Sequence, residues 1–350
     1  MAHALITGGT GFVGSHIAQA LAAGGHSVRV LRRRSSRLDA LAGVAFESCL
    51  GDVLDEGALR AASDGCDWVF HVAAVADYWQ ADRQRLYAVN VEGTRRVLRA
   101  ARAAGVRRVV FTSSAAAVGF TKNGQPADER QPFSLAPHEF PYGHSKHAAE
   151  QVARHAWAAH GQEVVIVNPV VVLGPGDLNL ISGRFITEVA RLQWTIPVTG
   201  GGVGVTDVRD VARWHIAAAE RGAPGERYIL GTANYSFNDW YAMIADTVGV
   251  PRPFVPAPGV ALPLAAALVE RLRALGVSLP VDPQQTRLGA RRIFFDYRKA
   301  WGAFGPPQVE MHTSLRETYD WYAARGLLQP DTAARAIGRA GALLGLRAAR

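Results

Sequence analysis

Residues Ile6–Ala18 read ITGGTGFVGSHIA. Gly8, Gly11 and Gly14 fall between a short apolar run, Ala4–Thr7, and an amphipathic run, Val13–Ala23, so they sit where a strand hands over to a helix. A tight turn at that point needs a residue without Cβ, and a bound polyanion needs close approach of the backbone. The N–H groups at the helix start, with the positive end of its dipole, then hold the anion. Three glycines alone are a weak signal. The strand before and the helix after make this a dinucleotide cradle, with Thr7, Gly8, Gly11, Phe12, Val13 and Gly14 facing the cofactor.

Outward from the cradle the alternation repeats. Val28–Leu31, Trp68–Val72, Val109–Thr112 and Val164–Val172 read as strands, and Val89–Ala104 and Tyr142–Ala159 as helices. This order predicts an α/β fold, a doubly wound parallel sheet of the Rossmann kind, over residues 1–172, with 205–232 returning to it. Val164–Val172 is rich in Val and Ile and reads as one strand buried on both faces. Beyond Leu173, "GPGD", "VTGGGVG", "VPRPFVPAPG" and "FGPPQ" break the chain into shorter elements. They predict a smaller substrate-binding lobe over 173–204 and 233–330. The Ala/Leu-rich stretch 331–350 predicts a helical tail.

The end of the second strand bears on which dinucleotide is held. A free ribose 2′-hydroxyl is usually met there by Asp or Glu, whereas a 2′-phosphate needs positive charge. The chain reads VRVLRRRSS, with Arg32, Arg33 and Arg34 in place of an acid. Guanidinium groups pair with phosphate in bidentate fashion, so NADP(H) is expected over NAD(H).

Composition sets the outer bounds. The 350 residues are 49% hydrophobic, enough for a sizeable core. The net charge of +8 is spread among interleaved acids, so it reads as a solvated surface and not as a nucleic-acid footprint. No Cys/His cluster has metal-site spacing, and Cys49 and Cys66 are expected to be free thiols. The N-terminus lacks the basic lead and apolar region of an export signal, and no uncharged run is long enough for a bilayer span, so a cytoplasmic protein is expected.

Of 38 Lys and Arg residues only Lys122, Lys146 and Lys299 are lysine. One of these rare lysines, Lys146 in FPYGHSKHAAE, lies four residues after Tyr142, which places both on one helical face. Reducing a carbonyl by hydride transfer generates an alkoxide that needs a proton, and a phenol of pKa near 10 is an awkward base in the reverse direction at neutral pH. A nearby ammonium favours phenolate and lowers that value.

Together, Thr7-Gly8-x-x-Gly11-x-x-Gly14, FTSSAAAVG and Tyr142-x-x-x-Lys146 resemble the extended short-chain dehydrogenase/reductase family, over nearly the whole chain. The resemblance implies Tyr142 as general acid/base and Lys146 as ribose ligand and modulator of the tyrosine. It implies Ser114 as hydrogen-bond donor to the substrate oxygen, with Ser113 as alternate. It assigns Asn90 to a supporting helix, where a proton path or a packing role is open. It places Asp52 and Val53 at the adenine, Ala73 and Ala74 in a bordering loop (His71–Ala76), and Pro169 on the cofactor wall. A homodimer built on the helices carrying Asn90 and Tyr142 is also implied.

Subfamilies divide on smaller features. Sugar 4,6-dehydratases carry Asp-Glu after the catalytic hydroxyl, where this chain has Ala115-Ala116. Nucleotide-sugar epimerases tend to show FNVYGPR, where NPVVVLGPGD puts Val171 and Gly176 in place of the gripping Asn and Arg. The remaining similarity is to the dihydroflavonol-reductase and 3β-hydroxysteroid-dehydrogenase branch. It implies interconversion of a ketone and a secondary alcohol on a small apolar substrate, with Tyr78, Trp79, Phe120, Phe185 and Trp194 as candidate pocket aromatics. Epimerisation is the runner-up, since ADYWQADRQRLYAVNVEGT resembles bacterial hopanoid-associated sugar epimerases. A non-catalytic NADP-sensing scaffold is the alternative of another class, and the intact Tyr/Lys pair speaks against it.

Overall fold

Alternate residues of the inner strands serve two different cores. On β1 (His3–Thr7), Ala4 and Ile6 join one apolar cluster and Leu5 the other. The same alternation divides Val165 and Val167 from Val164 and Ile166. Such strands need no polar face, which is why they read as unbroken apolar runs.

In the computed structural model the described residues are 1–76, 82–257 and 289–328, with isolated helical positions between 262 and 271 and between 336 and 343. Six further strands join β1 in one parallel sheet: β2 (Ser27–Arg32), β3 (Glu47–Leu50), β4 (Trp68–His71), β5 (Arg108–Thr112), β6 (Glu163–Pro169) and β10 (Arg227–Leu230). Their spatial order is β10-β6-β5-β4-β1-β2-β3. Strand order reverses between β1 and β4, and in open α/β sheets the ligand crevice lies at such a reversal. Thr7 pairs with His71, and His71 with Phe111, so three strand ends are level there.

Helix α1 (Phe12–Ala23) and α7 (Val208–Arg221) cover one face. Helices α2 (Glu56–Ser63), α4 (Thr94–Ala103) and α5 (Pro141–His160) cover the other. The helix expected over Val89–Ala104 is not uniform. It begins as the short α3 (Arg83–Tyr87), widens to π geometry over Ala88–Gly93, and only then becomes α4. Such a widened turn is frequent at functional sites, and Asn90 lies within it. Helix α5 starts with Pro141 at its first turn and stops at Gly161, whose φ of 63° suits glycine.

The run Val164–Val172 corrects the expectation of a single strand. β6 ends at Pro169, and β7 (Val171–Leu173) pairs with β9 (Gly202–Asp207) in a second sheet. That sheet also holds β11 (Ala233–Ser236) and β13 (Arg292–Ile293), while β8 (Pro197–Val198) pairs with β12 (Val255–Pro256). Helices α6 (Arg184–Leu192), α8 (Phe237–Val248) and Met311–Ala324 pack on it around Trp240, Ile244, Leu315 and Tyr322. The expected tail, 331–350, lies largely outside the described residues. Cys49 and Cys66 are free thiols. Among the described residues no helix is long and apolar enough to cross a membrane.

Candidate active site

A cleft of about 1480 Å³ runs from the glycine turn, across the C-terminal ends of the parallel strands, to α6 and α8. The turn is closed by contacts that leave no room for side chains. Gly8 has φ +75°, and a Cβ on it would lie 2.6 Å from the Ala73 backbone nitrogen. A Cβ on Gly14 would lie 2.2 Å from the Gly8 carbonyl oxygen. Helix α1 begins at Gly11 with no side-chain cap, whereas α2, α7 and α8 are capped by Asp55, Asp207 and Ser236. Its first-turn N–H groups are therefore left for an anion, and the residues present fit a dinucleotide pyrophosphate.

Phe12, Val13, Arg32, Arg33, Asp52, Val53, Ala73, Ala74 and Pro169 line the same cleft. Arg32 is steadied by donating from Nε to Ser48 Oγ at 2.7 Å. Asp52 accepts the Leu54 N–H at 3.0 Å, which fixes its turn. Ser35, Ser36 and Arg37, directly after the arginine run and not among the expected residues, also line this end. Thr7 is not among the lining residues, because its hydroxyl is 2.8 Å from His71 Nδ1, behind the wall.

At mid-cleft lie Ser114, Tyr142 and Lys146. Tyr142 is 6% exposed, edge-on to Phe140. Gly143 follows it because a Cβ there would meet the Phe140 ring at 2.4 Å and the Ala116 carbonyl at 2.8 Å. Lys146 is 2% exposed; its Nζ donates to the Thr112 carbonyl at 2.7 Å and lies 4.8 Å from the centre of the Phe111 ring. Burial pulls its pKa down to about 7, against an opposing pull from Glu150. The two serines are separated by their partners. Ser113 donates to Glu150 Oε1 at 2.6 Å, whereas Ser114 accepts the Ala116 N–H at 3.2 Å and keeps its own hydrogen for a ligand.

Glu150, one turn beyond Lys146, is fully buried. It also accepts from Asn168 Nδ2 at 2.5 Å and pairs with Arg227 of β10 at 3.1 Å. Asn90 Oδ1 accepts the Val75 N–H at 2.8 Å, and its Nδ2 donates to the Val75 carbonyl at 3.1 Å and to Ser145 Oγ at 3.0 Å.

The far end of the cleft is lined by Phe185, Phe237 and Tyr241, with Arg184, Glu188 and Arg191 on α6, and Phe120 also lines the cleft, beneath the Arg291 guanidinium. Trp194 stands apart from that lining and stacks on Phe254, ring centroids 5.9 Å apart. Tyr78 and Trp79 lie outside the described residues. No group of three His, Cys, Asp or Glu side chains able to hold a metal occurs among the described residues.

The uncapped glycine turn at a sheet reversal, opening onto a helix that presents tyrosine and lysine, defines an extended short-chain dehydrogenase/reductase. The chain belongs to the NAD dependent epimerase/dehydratase family, whose model matches residues 4–231. A putative dihydroflavonol 4-reductase from Synechocystis is 39% identical over 331 residues, 93% of this chain and 95% of that one. Sterol demethylase protein B from Methylococcus capsulatus is 34% identical, covering 82% and 84%. Among solved structures, gox2253 superimposes with a TM-score of 0.83 at 32% identity, covering 94% of this chain and all of that one. PA4631, a nucleoside-diphosphate-sugar epimerase from Pseudomonas aeruginosa, superimposes with a TM-score of 0.77 at 28% identity, covering 94% and 99%. The named relatives place the chain in the dihydroflavonol-reductase and 3β-hydroxysteroid-dehydrogenase branch.

Proposed function

We propose that this chain is an NADP(H)-dependent oxidoreductase that interconverts a ketone and a secondary alcohol on a small, largely apolar substrate. The observation that carries the reading is the placement of buried Tyr142, Lys146 and Ser114 at mid-cleft, between the glycine turn and an aromatic pocket. A dinucleotide held by the Gly8–Gly14 turn would supply or accept the hydride. Tyr142 hands a proton to the oxygen of the forming alcohol, or takes it in the reverse direction. The Ser114 hydroxyl orients that oxygen, and charge on the Lys146 ammonium favours the phenolate. Several relatives carry reductase names, including a cinnamoyl-CoA reductase from rice. The test is loss of NADPH absorbance with aryl and alicyclic ketones; no turnover of any of them would overturn the proposal. Conversion of a nucleotide sugar to its epimer, read by chromatography because it consumes no net NADPH, would favour epimerisation, the activity in the name of the Pseudomonas neighbour.

Cofactor choice rests on Arg32 and Arg33 lining the cleft where β2 ends, beside Ser35 and Ser36. The double substitution Arg32→Asp, Arg33→Ser is expected to move preference from NADPH toward NADH. An unmoved ratio of kcat/KM for the two cofactors would remove the arginines from that role.

Lys146 makes a proton-linked prediction. Its folded-state pKa of about 7 lies below the ordinary 10.5. Between these values the unfolded chain holds more protons, so this group adds stability as pH rises through the window, and its burial costs most below pH 7. Ribose hydroxyls would give the ammonium new acceptors and raise its pKa again. Binding of NADPH at about pH 8 is thus expected to draw protons from the buffer, by up to one per site, and less in more acidic solution. Titration calorimetry in buffers of different ionisation enthalpy reads this directly, and Lys146→Met abolishes it.

A further inference from the structure

Behind the cofactor wall lies a row of buried polar groups that the proposed chemistry leaves unused, and counting hydrogens gives it a direction. Thr94 Oγ1 is 2.6 Å from the Asn90 carbonyl. A carbonyl can only accept, so the one hydroxyl hydrogen of Thr94 is spent there. The same oxygen is 3.0 Å from His71 Nε2, which must therefore carry a hydrogen and donate. Burial, with a smaller push from the Lys146 charge, holds His71 far below its ordinary pKa, at about 3, so the ring is neutral. A neutral ring protonated at Nε2 has a bare Nδ1. Nδ1 thus accepts from Thr7 Oγ1 at 2.8 Å, and Thr7 in turn accepts the Ala73 N–H at 3.4 Å. At the other end, Asn90 donates to Ser145 Oγ, which donates to the Tyr142 carbonyl at 2.7 Å.

We infer that His71 is a positioning residue: as the Nε2–H tautomer it is the central link of a one-way hydrogen-bond chain from the cofactor-facing backbone of Ala73 to Asn90 and, through Ser145, to the first turn of the Tyr142 helix. Stacking on Phe111, with ring centroids 5.6 Å apart, fixes the plane of the ring. Thr7, His71 and Thr94 are all outside the cleft lining, whereas Ala73 is part of it. An effect of those three on a ligand must pass through the backbone they hold. That backbone has little freedom, since the glycine turn abuts the Ala73 nitrogen. The purpose of the chain rests on the proposed role of Tyr142, while its geometry does not.

The experiment uses the full chain labelled with ¹⁵N-histidine. The expected spectrum shows a neutral His71 with a slowly exchanging Nε2–H. Thr94→Val removes the acceptor at nearly constant shape, so that signal is lost and NADPH affinity, read by fluorescence titration, falls about tenfold. Thr94→Ser restores both. A wild-type ring protonated at Nδ1 or at both nitrogens would overturn the inference, as would unchanged NADPH affinity in a folded Thr94→Val protein. Should that variant fail to fold, Thr7→Val puts the same question at the other end, with the same loss expected and unchanged affinity decisive against. If the wild-type chain bound no NADPH at all, the proposed function would fall, while the tautomer and its response to Thr94→Val would still decide the inference.

Discussion

Tyr142→Phe is expected to lower turnover of a ketone substrate by roughly 10²–10⁴-fold while NADPH still binds. The substitution deletes one oxygen from a side chain that is almost wholly buried and keeps the ring that meets Phe140 edge-on. Ser145 holds residue 142 through its backbone carbonyl, so that contact survives. Lys146 and the glycine turn keep their own contacts. On the proposed function, what is lost is the group that gives or takes the proton at the substrate oxygen. Steady-state kinetics beside an NADPH titration separate the two effects. Turnover equal to wild type would remove Tyr142 from catalysis, and loss of binding would point to a positioning role instead.

The second large effect is expected in stability. Glu150 is fully buried and Arg227 nearly so, and they form an ion pair between α5 and the edge strand β10. Arg227 also donates to the carbonyls of Glu129 and Gln131, which tie a loop to the same edge. Cutting Arg227 back to Met leaves the Glu150 charge uncompensated in the interior, at a cost of about 3–5 kcal/mol. Chemical denaturation measures this. The double variant Arg227→Met, Glu150→Gln is expected to be less damaged than Arg227→Met alone, since no charge is then stranded. A loss below about 1 kcal/mol in the single variant would remove the ion pair from that role.

The parts of this molecule that could be read in its sequence are those fixed by short-range constraints. The glycine turn is legible because absent Cβ atoms leave a pattern over seven residues, and the contacts at Gly8 and Gly14 show why no other residue serves. Tyr142 and Lys146 are legible because one helical turn separates them. Val170 shows the opposite case: Asn168-Pro169 interrupts the Val and Ile run where β6 ends, but the stretches on both sides are apolar, so nothing local says that β7 joins a different sheet. β3 carries little signal either, because ESCL is an edge strand with mostly exposed residues. The serine roles are ambiguous in the sequence for a different reason. Ser113 and Ser114 are neighbours, and what separates them is Glu150, 37 residues from Ser113 and brought close by the fold. Trp194 illustrates the limit of reasoning from residue type, as an aromatic ring satisfied by Phe254 is indistinguishable in sequence from one facing a ligand.

The position of β10 has a consequence for biosynthesis. Residues 227–230 close one edge of the principal sheet beside β6, although residues 170–226, which hold β7, α6, β8, β9 and α7, are translated between them. Until the ribosome has released that late segment, β6 presents an unpaired row of backbone donors and acceptors, with the Glu150 carboxylate awaiting its guanidinium. The growing polypeptide is therefore most prone to self-association in this interval, and a terminator placed just before Arg227 should yield insoluble protein.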